Sequence, residues 1–298
     1  MGLQSTWGPL VAWDFFLGGA GAGAYLMAVW LGWTDRRHGW LARTGIVLGP
    51  VLVALGALLL LMDLGEPLRF WRGYSRPGSS VMSVGVWLVS LFLVLGAVHL
   101  ARQLRAWREG VVLGWLAGLN GVFALGVMLY PGLLVGVVKA VPFWNTPLWP
   151  VLFVVAGLSA GVAVLVGAAQ LSRRSGGRPD AVEEAMGVLA RAMAVLVGLE
   201  ALGLLAVLVV ASGSGLTAAA SVAYLVSGGY AWAFWLGLVG LGLVVPLVWS
   251  VLAWSSRSGG GVGNLVPWGT VAAVCLLVGA VVLRYSVLAA GLARPVIP

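Results

Sequence analysis

Few residues of this protein can do chemistry, and they are unevenly spread. Asp63, Glu66, Arg69, Arg72 and Arg76 fall together in the stretch LLLLMDLGEPLRFWRGYSRPGSSVMSVGVW, from Leu58 to Trp87. Asp14, Glu200 and Arg284 stand alone inside apolar runs, and Tyr130 closes another in the sequence LYPG. Carboxylates accept and release protons, a phenol donates a hydrogen bond, and guanidinium groups hold anions or pair with acids. In so apolar a chain, such a set suits a lipophilic ligand with polar oxygens whose chemistry moves protons.

The elements that must position these residues follow from composition. The chain has 298 residues, 61% of them hydrophobic and only 9% charged, with 45 glycines. Apolar runs long enough to cross about 30 Å of hydrocarbon recur from end to end. We read eight spans, at roughly 10–33, 44–63, 81–102, 111–134, 148–171, 187–211, 231–254 and 267–292. Backbone groups in lipid must be satisfied internally, so the spans are helices; the alternating pattern of a membrane barrel is absent. Pro246 predicts a kink in span 7, and the stretch 172–186 reads as a linker. The N-terminus has no basic region of the kind that opens a cleaved signal peptide.

Basic residues set the expected orientation. The loops after spans 1, 3, 5 and 7 carry Arg36, Arg37, Arg43, Arg102, Arg105, Arg108, Arg173, Arg174, Arg178 and Arg257. The other side carries Arg69, Arg72, Arg76, Lys139 and Arg294. Ten against five places the first group in the cytoplasm, with both termini and the 63–80 turn on the outer face of a cytoplasmic (inner) membrane. The net charge of +8 lies in short loops and reports topology and lipid contact, not nucleic-acid binding.

Several residues admit two readings. Asp14 either caps span 1 or sits at a functional site. The arginines of the turn either pair internally with Asp63 and Glu66 or also meet the acidic face of a docked partner. Asp63 either orders that turn or accepts a proton. Glu200 and Arg284 form either a structural ion pair or part of a proton path. A weak repeat relates Phe15, Gly19, Ala22 and Gly23 of span 1 to Phe153, Gly157, Ala160 and Gly161 of span 5, and suggests two four-helix halves in parallel orientation.

Other chemistries are poorly served. The single cysteine, Cys275, lies in an apolar run, so neither a disulfide nor a cysteine-ligated cluster can form within the chain. His38 and His99 are the only histidines and read as boundary residues, too few at depth to hold a haem between helices. No metal site is expected, and the GAGAGA run lies within a span, so it is not a nucleotide-binding fingerprint.

The turn MDLGEPLRFWRGY followed by SSVMSVGVW resembles the NrfD/PsrC family, the membrane subunits of polysulfide-reductase-like complexes. Further matches are FFLGGAGAGAYL in span 1, YPG at the end of span 4, FWLGLVGLGLVVP in span 7 and LRYSVLAAG in span 8. The resemblance implies an all-α membrane protein of eight helices in two four-helix bundles. Residues 1–171 would hold the first bundle plus span 5, with the quinone site and the docking turn 63–80; residues 172–298 would hold spans 6–8. It implies no cofactor bound within the chain, and menaquinone or ubiquinone as an exchangeable ligand. The implied partners are a four-cluster ferredoxin-like iron–sulfur subunit and a molybdopterin catalytic subunit. Tyr130 matches a tyrosine placed at the quinone head group, while Asp14 falls where a family member has a histidine. Asp14 or Asp63 would take the protons of quinol, and Glu66, Arg69, Arg72 and Arg76 would face the partner. Glu200 and Arg284 match polar span positions less securely. A secondary transporter and a passive anchor without quinone binding are the competing readings.

Overall fold

The computed structural model describes residues 8–63, 71, 73–74, 80–106, 114–176, 179–255 and 266–292. Among them are eight helices long and apolar enough to cross a membrane, and no strand. They are α1 (Pro9–Thr34), α2 (Gly39–Asp63), α3 (Val81–Arg105), α4 (Trp115–Gly136), α5 (Leu148–Arg174), α6 (Pro179–Gly213), α8 (Ala233–Ser255) and α9 (Gly269–Leu292). A shorter apolar helix, α7 (Leu216–Val226), fills the gap left between spans 6 and 7.

The all-helical, eight-span expectation is met, with boundaries that differ in informative places. Much of the stretch read as a linker is helix: α5 runs to Arg174 and α6 begins at Pro179. Its polar composition reflects helix protruding from the membrane, since the 35 residues of α6 extend about 50 Å at ~1.5 Å per residue. In span 7 the disturbance precedes Pro246, because Ala233–Val244 is π-helical and ordinary α-helix resumes at Val245. Proline offers no N–H and its ring crowds the carbonyl a turn back, so the strain falls on the preceding residues.

Contacts at the helix ends define two faces. Gly8 lies against Asp63, the Trp144 indole donates to Val287 O at 2.8 Å, and the Tyr285 hydroxyl donates to Pro9 O at 3.5 Å. The start of α1, the ends of α2 and α9 and the α4–α5 connection therefore share one face, here the terminal face. Arg37 and Glu184, paired at 3.5 Å, join the end of α1 to the start of α6 on the opposite face.

α1 is the central helix, packing on α2, α4, α5 and α9. The weak repeat explains how. A Cβ on Gly23 would stand 2.0 Å from Gly157 O, and one on Gly161 would stand 2.2 Å from the Gly23 carbonyl carbon. Phe15 and Phe153 meet edge to face at 6.2 Å. The matched positions of α1 and α5 thus face one another, and backbone rests on backbone where the small residues allow it.

Candidate functional site

Asp14 and Tyr130 are brought together. The Tyr130 hydroxyl donates to Asp14 Oδ2 at 3.2 Å, across 116 residues of sequence, and both side chains are buried. Asp14 does not cap its helix. Gly8 is the N-cap and Pro9 the first helical residue, so Asp14 lies six residues in, about 9 Å along the axis. Proline at that position suits a helix start, where its missing N–H is not needed. A carboxylate at this depth is costly and must be held for a reason.

Two glycines make room for the pair. A Cβ on Gly56 of α2 would lie 3.2 Å from Asp14 Oδ1, and one on Gly85 of α3 would lie 2.6 Å from the Tyr130 ring. Phe15 closes another side, edge to face with Tyr130 at 6.4 Å. α1 to α4 therefore all contribute.

The serine-rich start of α3 positions Gly85. Ser80 caps the helix, accepting from the Ser83 amide at 3.2 Å. The Ser83 hydroxyl in turn donates to Gly73 O, Tyr74 and Ser90 hydroxyls bond at 2.6 Å, and Tyr74 packs on Trp87 at 5.4 Å. Gly73 and Tyr74, midway along the 63–80 turn, are thereby tied to α3 beside the Tyr130 ring.

Asp63 does not join the pair. It ends α2 at the terminal face, exposed, where a Cβ on Gly8 would lie 3.2 Å from its Oδ1. Seven residues, about 10 Å of helix, separate it from Gly56 beside Asp14. A carboxylate beside the first turn of α1 favours that helix end electrostatically. Glu66, Arg69, Arg72 and Arg76 lie outside the described residues.

Glu200 and Arg284 form a second buried cluster on the other side of α1, between α5, α6 and α9. They do not close a direct ion pair. Arg284 donates from Nη1 to Ala280 O at 3.2 Å, its Cζ stands 5.3 Å from the Phe153 ring centroid, and its Nη2 lies 3.2 Å from where a Gly19 Cβ would be. Ser159 lies against the Glu200 carboxyl. Glu200 Oε2 and Arg284 Nε and Nη2 have no partner among the described residues, which marks a place for water. Phe15 touches Tyr130, Phe153 touches Phe15, and Arg284 sits over Phe153, so aromatic rings separate the two clusters.

The histidines lie where the sequence reading put them, His38 in the turn between α1 and α2 and His99 in the last two turns of α3, but they are not solvent-facing. His99 is buried, and its Nδ1 bonds the Tyr25 hydroxyl at 2.7 Å; His38 is also buried. Sequence reasoning passed over Tyr25 and Asn120, polar groups inside apolar runs, although that position alone was a usable signal. Gly56 and Gly85 offered no such signal among 45 glycines.

Fold and site together define a multi-pass helical membrane protein with a buried carboxylate–phenol pair near one face. The family model described as polysulphide reductase, NrfD, matches residues 1–296, and the chain belongs to that family. It is 35% identical to protein NrfD of Escherichia coli, over 96% of this chain and 95% of that protein. It is 30% identical to one of the chains of the polysulfide reductase of Wolinella succinogenes, over 96% of this chain and 94% of that one. A subunit of the tetrathionate reductase of Salmonella typhimurium is 29% identical over 55% of this chain and 50% of its own length.

Proposed function

We infer that this chain is the quinone-reactive membrane subunit of a reductase complex. It would pass electrons between the membrane quinone pool and an iron–sulfur partner, beyond which lies a molybdopterin catalytic subunit. The observation that carries this reading is the buried Tyr130–Asp14 hydrogen bond near the terminal face. The names of the relatives, one a component of a polysulfide reductase and another of a tetrathionate reductase, support the setting.

The chemistry assigns distinct tasks to the two groups. Oxidising a quinol releases two electrons and two protons. With quinone bound, Tyr130 would turn its single hydroxyl proton from Asp14 to a quinone oxygen, and the freed Asp14 carboxylate would take a proton as the electrons leave toward the partner. Asp63, nearer solvent, suits the next acceptor. Glu66, Arg69, Arg72 and Arg76 would present the docking surface on the outer face of the inner membrane. The two four-helix halves would meet at the α1–α5 crossing. A quinone, menaquinone or ubiquinone, is substrate here rather than resident cofactor.

Isolation of the intact complex tests the reading: extraction should yield a quinone, and the co-purifying subunits should carry iron–sulfur clusters. A complex free of quinone that cannot react with added quinol would leave a passive anchor. Solute uptake by the chain alone in liposomes would leave a transporter.

Glu200 and Arg284 are assigned to proton exchange through bound water. Glu200→Gln should leave assembly intact and slow proton release measured with a pH dye by about 100-fold, the low end of what a positioned proton-transfer group contributes. Arg284→Gln should instead lower the thermal midpoint, since it removes the hydrogen bond to Ala280 O and the contact with the Phe153 ring as well as the charge facing Glu200. Equal loss of stability in both variants would reduce the pair to a structural one.

A further inference from the structure

On the opposite face, a groove of about 690 Å³ runs between the end of α1 and the first half of α6. Its polar end is made by Asp35, His38 and Glu184, and its length by Arg191 together with apolar side chains such as Trp30 and Val195. We propose that this groove holds one amine-bearing zwitterionic phospholipid of the leaflet opposite the termini.

The polar end carries both signs of charge in the order such a head group needs. Asp35 and Glu184 lie outermost, past the end of α1 and in the protruding part of α6. They are placed for an ammonium group. Arg191 is seven residues further along α6, on the same face as Glu184, about 10 Å deeper at its Cα. Helix side chains lean toward the N-terminus, which here is the water side, and the Arg191 Nε donates back to Gly187 O at 3.3 Å. Its guanidinium thus stands beneath the two acids, at the depth of a phosphate.

His38 supplies an independent sign of a missing ligand. It lines the groove at 4% exposure, and neither ring nitrogen has a hydrogen-bond partner among the described residues. An orphaned imidazole beside an arginine fits a phosphate or ester oxygen. Below this level Met27, Trp30, Val188, Val195 and Leu196 offer an apolar track open toward the bilayer. Arg37 meets one oxygen of each acid, its guanidinium at Glu184 Oε1 and its backbone amide donating to Asp35 Oδ1 at 2.9 Å; a purely anionic head group would face the remaining oxygens, whereas an ammonium satisfies them. Arg37, paired with Glu184 at 3.5 Å, stands at the mouth.

The test is native mass spectrometry of the full chain, delipidated in detergent and titrated with phosphatidylethanolamine or phosphatidylglycerol of matched acyl chains. Phosphatidylethanolamine should be retained about tenfold more strongly, on the scale of one or two charge-assisted hydrogen bonds. Glycerophosphoethanolamine, the same head group without tails, should not bind. Arg191→Gln should abolish retention of both lipids, and Arg191→Lys should restore it in part. The pair Asp35→Asn and Glu184→Gln should erase the preference between them. Equal retention of the two lipids by the unaltered chain overturns the proposal, as does undiminished retention by an Arg191→Gln variant, or occupancy by a quinone that phosphatidylethanolamine does not displace. None of these readouts depends on the redox role of the chain.

Discussion

Asp14→Asn is expected to lower quinone-linked electron transfer by about 100-fold or more, the low end of what a positioned proton acceptor contributes. Asparagine keeps the shape of the side chain and an oxygen to accept from Tyr130. It cannot take up a proton from quinol. The packing of Gly56 against residue 14 is unaltered, so the complex should assemble at its normal level. Tyr130→Phe should cost less, about tenfold to 100-fold, the worth of one hydrogen bond to a charged or polarised oxygen. Its effect should fall mainly on KM, because the phenyl ring still fills the space over Gly85 while the donor to the head group is gone. Steady-state assays with a soluble quinol and the purified complex measure both. An Asp14→Asn complex with more than half its activity would remove this residue from the chemistry and shift attention to Asp63, which the same assay examines through Asp63→Asn.

How these residues find each other was only partly legible in the sequence. Span count and approximate limits followed from hydropathy because lipid admits helices and little else. Asp14 stood out for the same reason, as a charge with no place in hydrocarbon. Its partner did not: Tyr130 was visible as a phenol closing an apolar run, but nothing local joins residue 14 to residue 130, and only the resemblance put both at one site. Asp63 looked equivalent to Asp14 as an acid at the end of an apolar run, yet it lies at the exposed end of α2, about 10 Å of helix from the site. The pairing of Glu200 with Arg284 was reasonable for two lone buried charges, but the helices hold them apart by a distance only packing sets. The polar composition of 179–186 concealed helix, since hydropathy reports the solvent around a segment and not its backbone. The short α7 escaped for a related reason. Its 11 residues are too few to span, and no rule of crossing lengths applies to them.

The repeat between α1 and α5 was legible as a pattern before its meaning was, and it carries the second large effect. Gly161→Leu is expected to prevent stable assembly, with a loss of about 3 kcal/mol or more, at or beyond the upper range for overpacking. The reason is the nature of the obstacle. A side chain on Gly161 meets backbone of α1, 2.2 Å from the Gly23 carbonyl carbon and 2.3 Å from Ala24 N, so no rotamer change can relieve it. Gly167 of the same helix is the matched control. Among the described residues nothing lies within 4 Å of a Cβ there, and Gly167→Leu should leave the thermal midpoint of the detergent-solubilised chain unchanged or raised, as a better helix former replaces glycine. The milder Gly161→Ala separates packing from function. Pushing α1 from α5 moves Phe15, which lies between Phe153 and Tyr130, and so disturbs the carboxylate–phenol pair from behind. Gly161→Ala should therefore lower thermal midpoint and quinone-linked activity together, while Gly167→Ala lowers neither. An active Gly161→Leu protein with an unaltered midpoint would mean that α1 and α5 do not meet at these glycines.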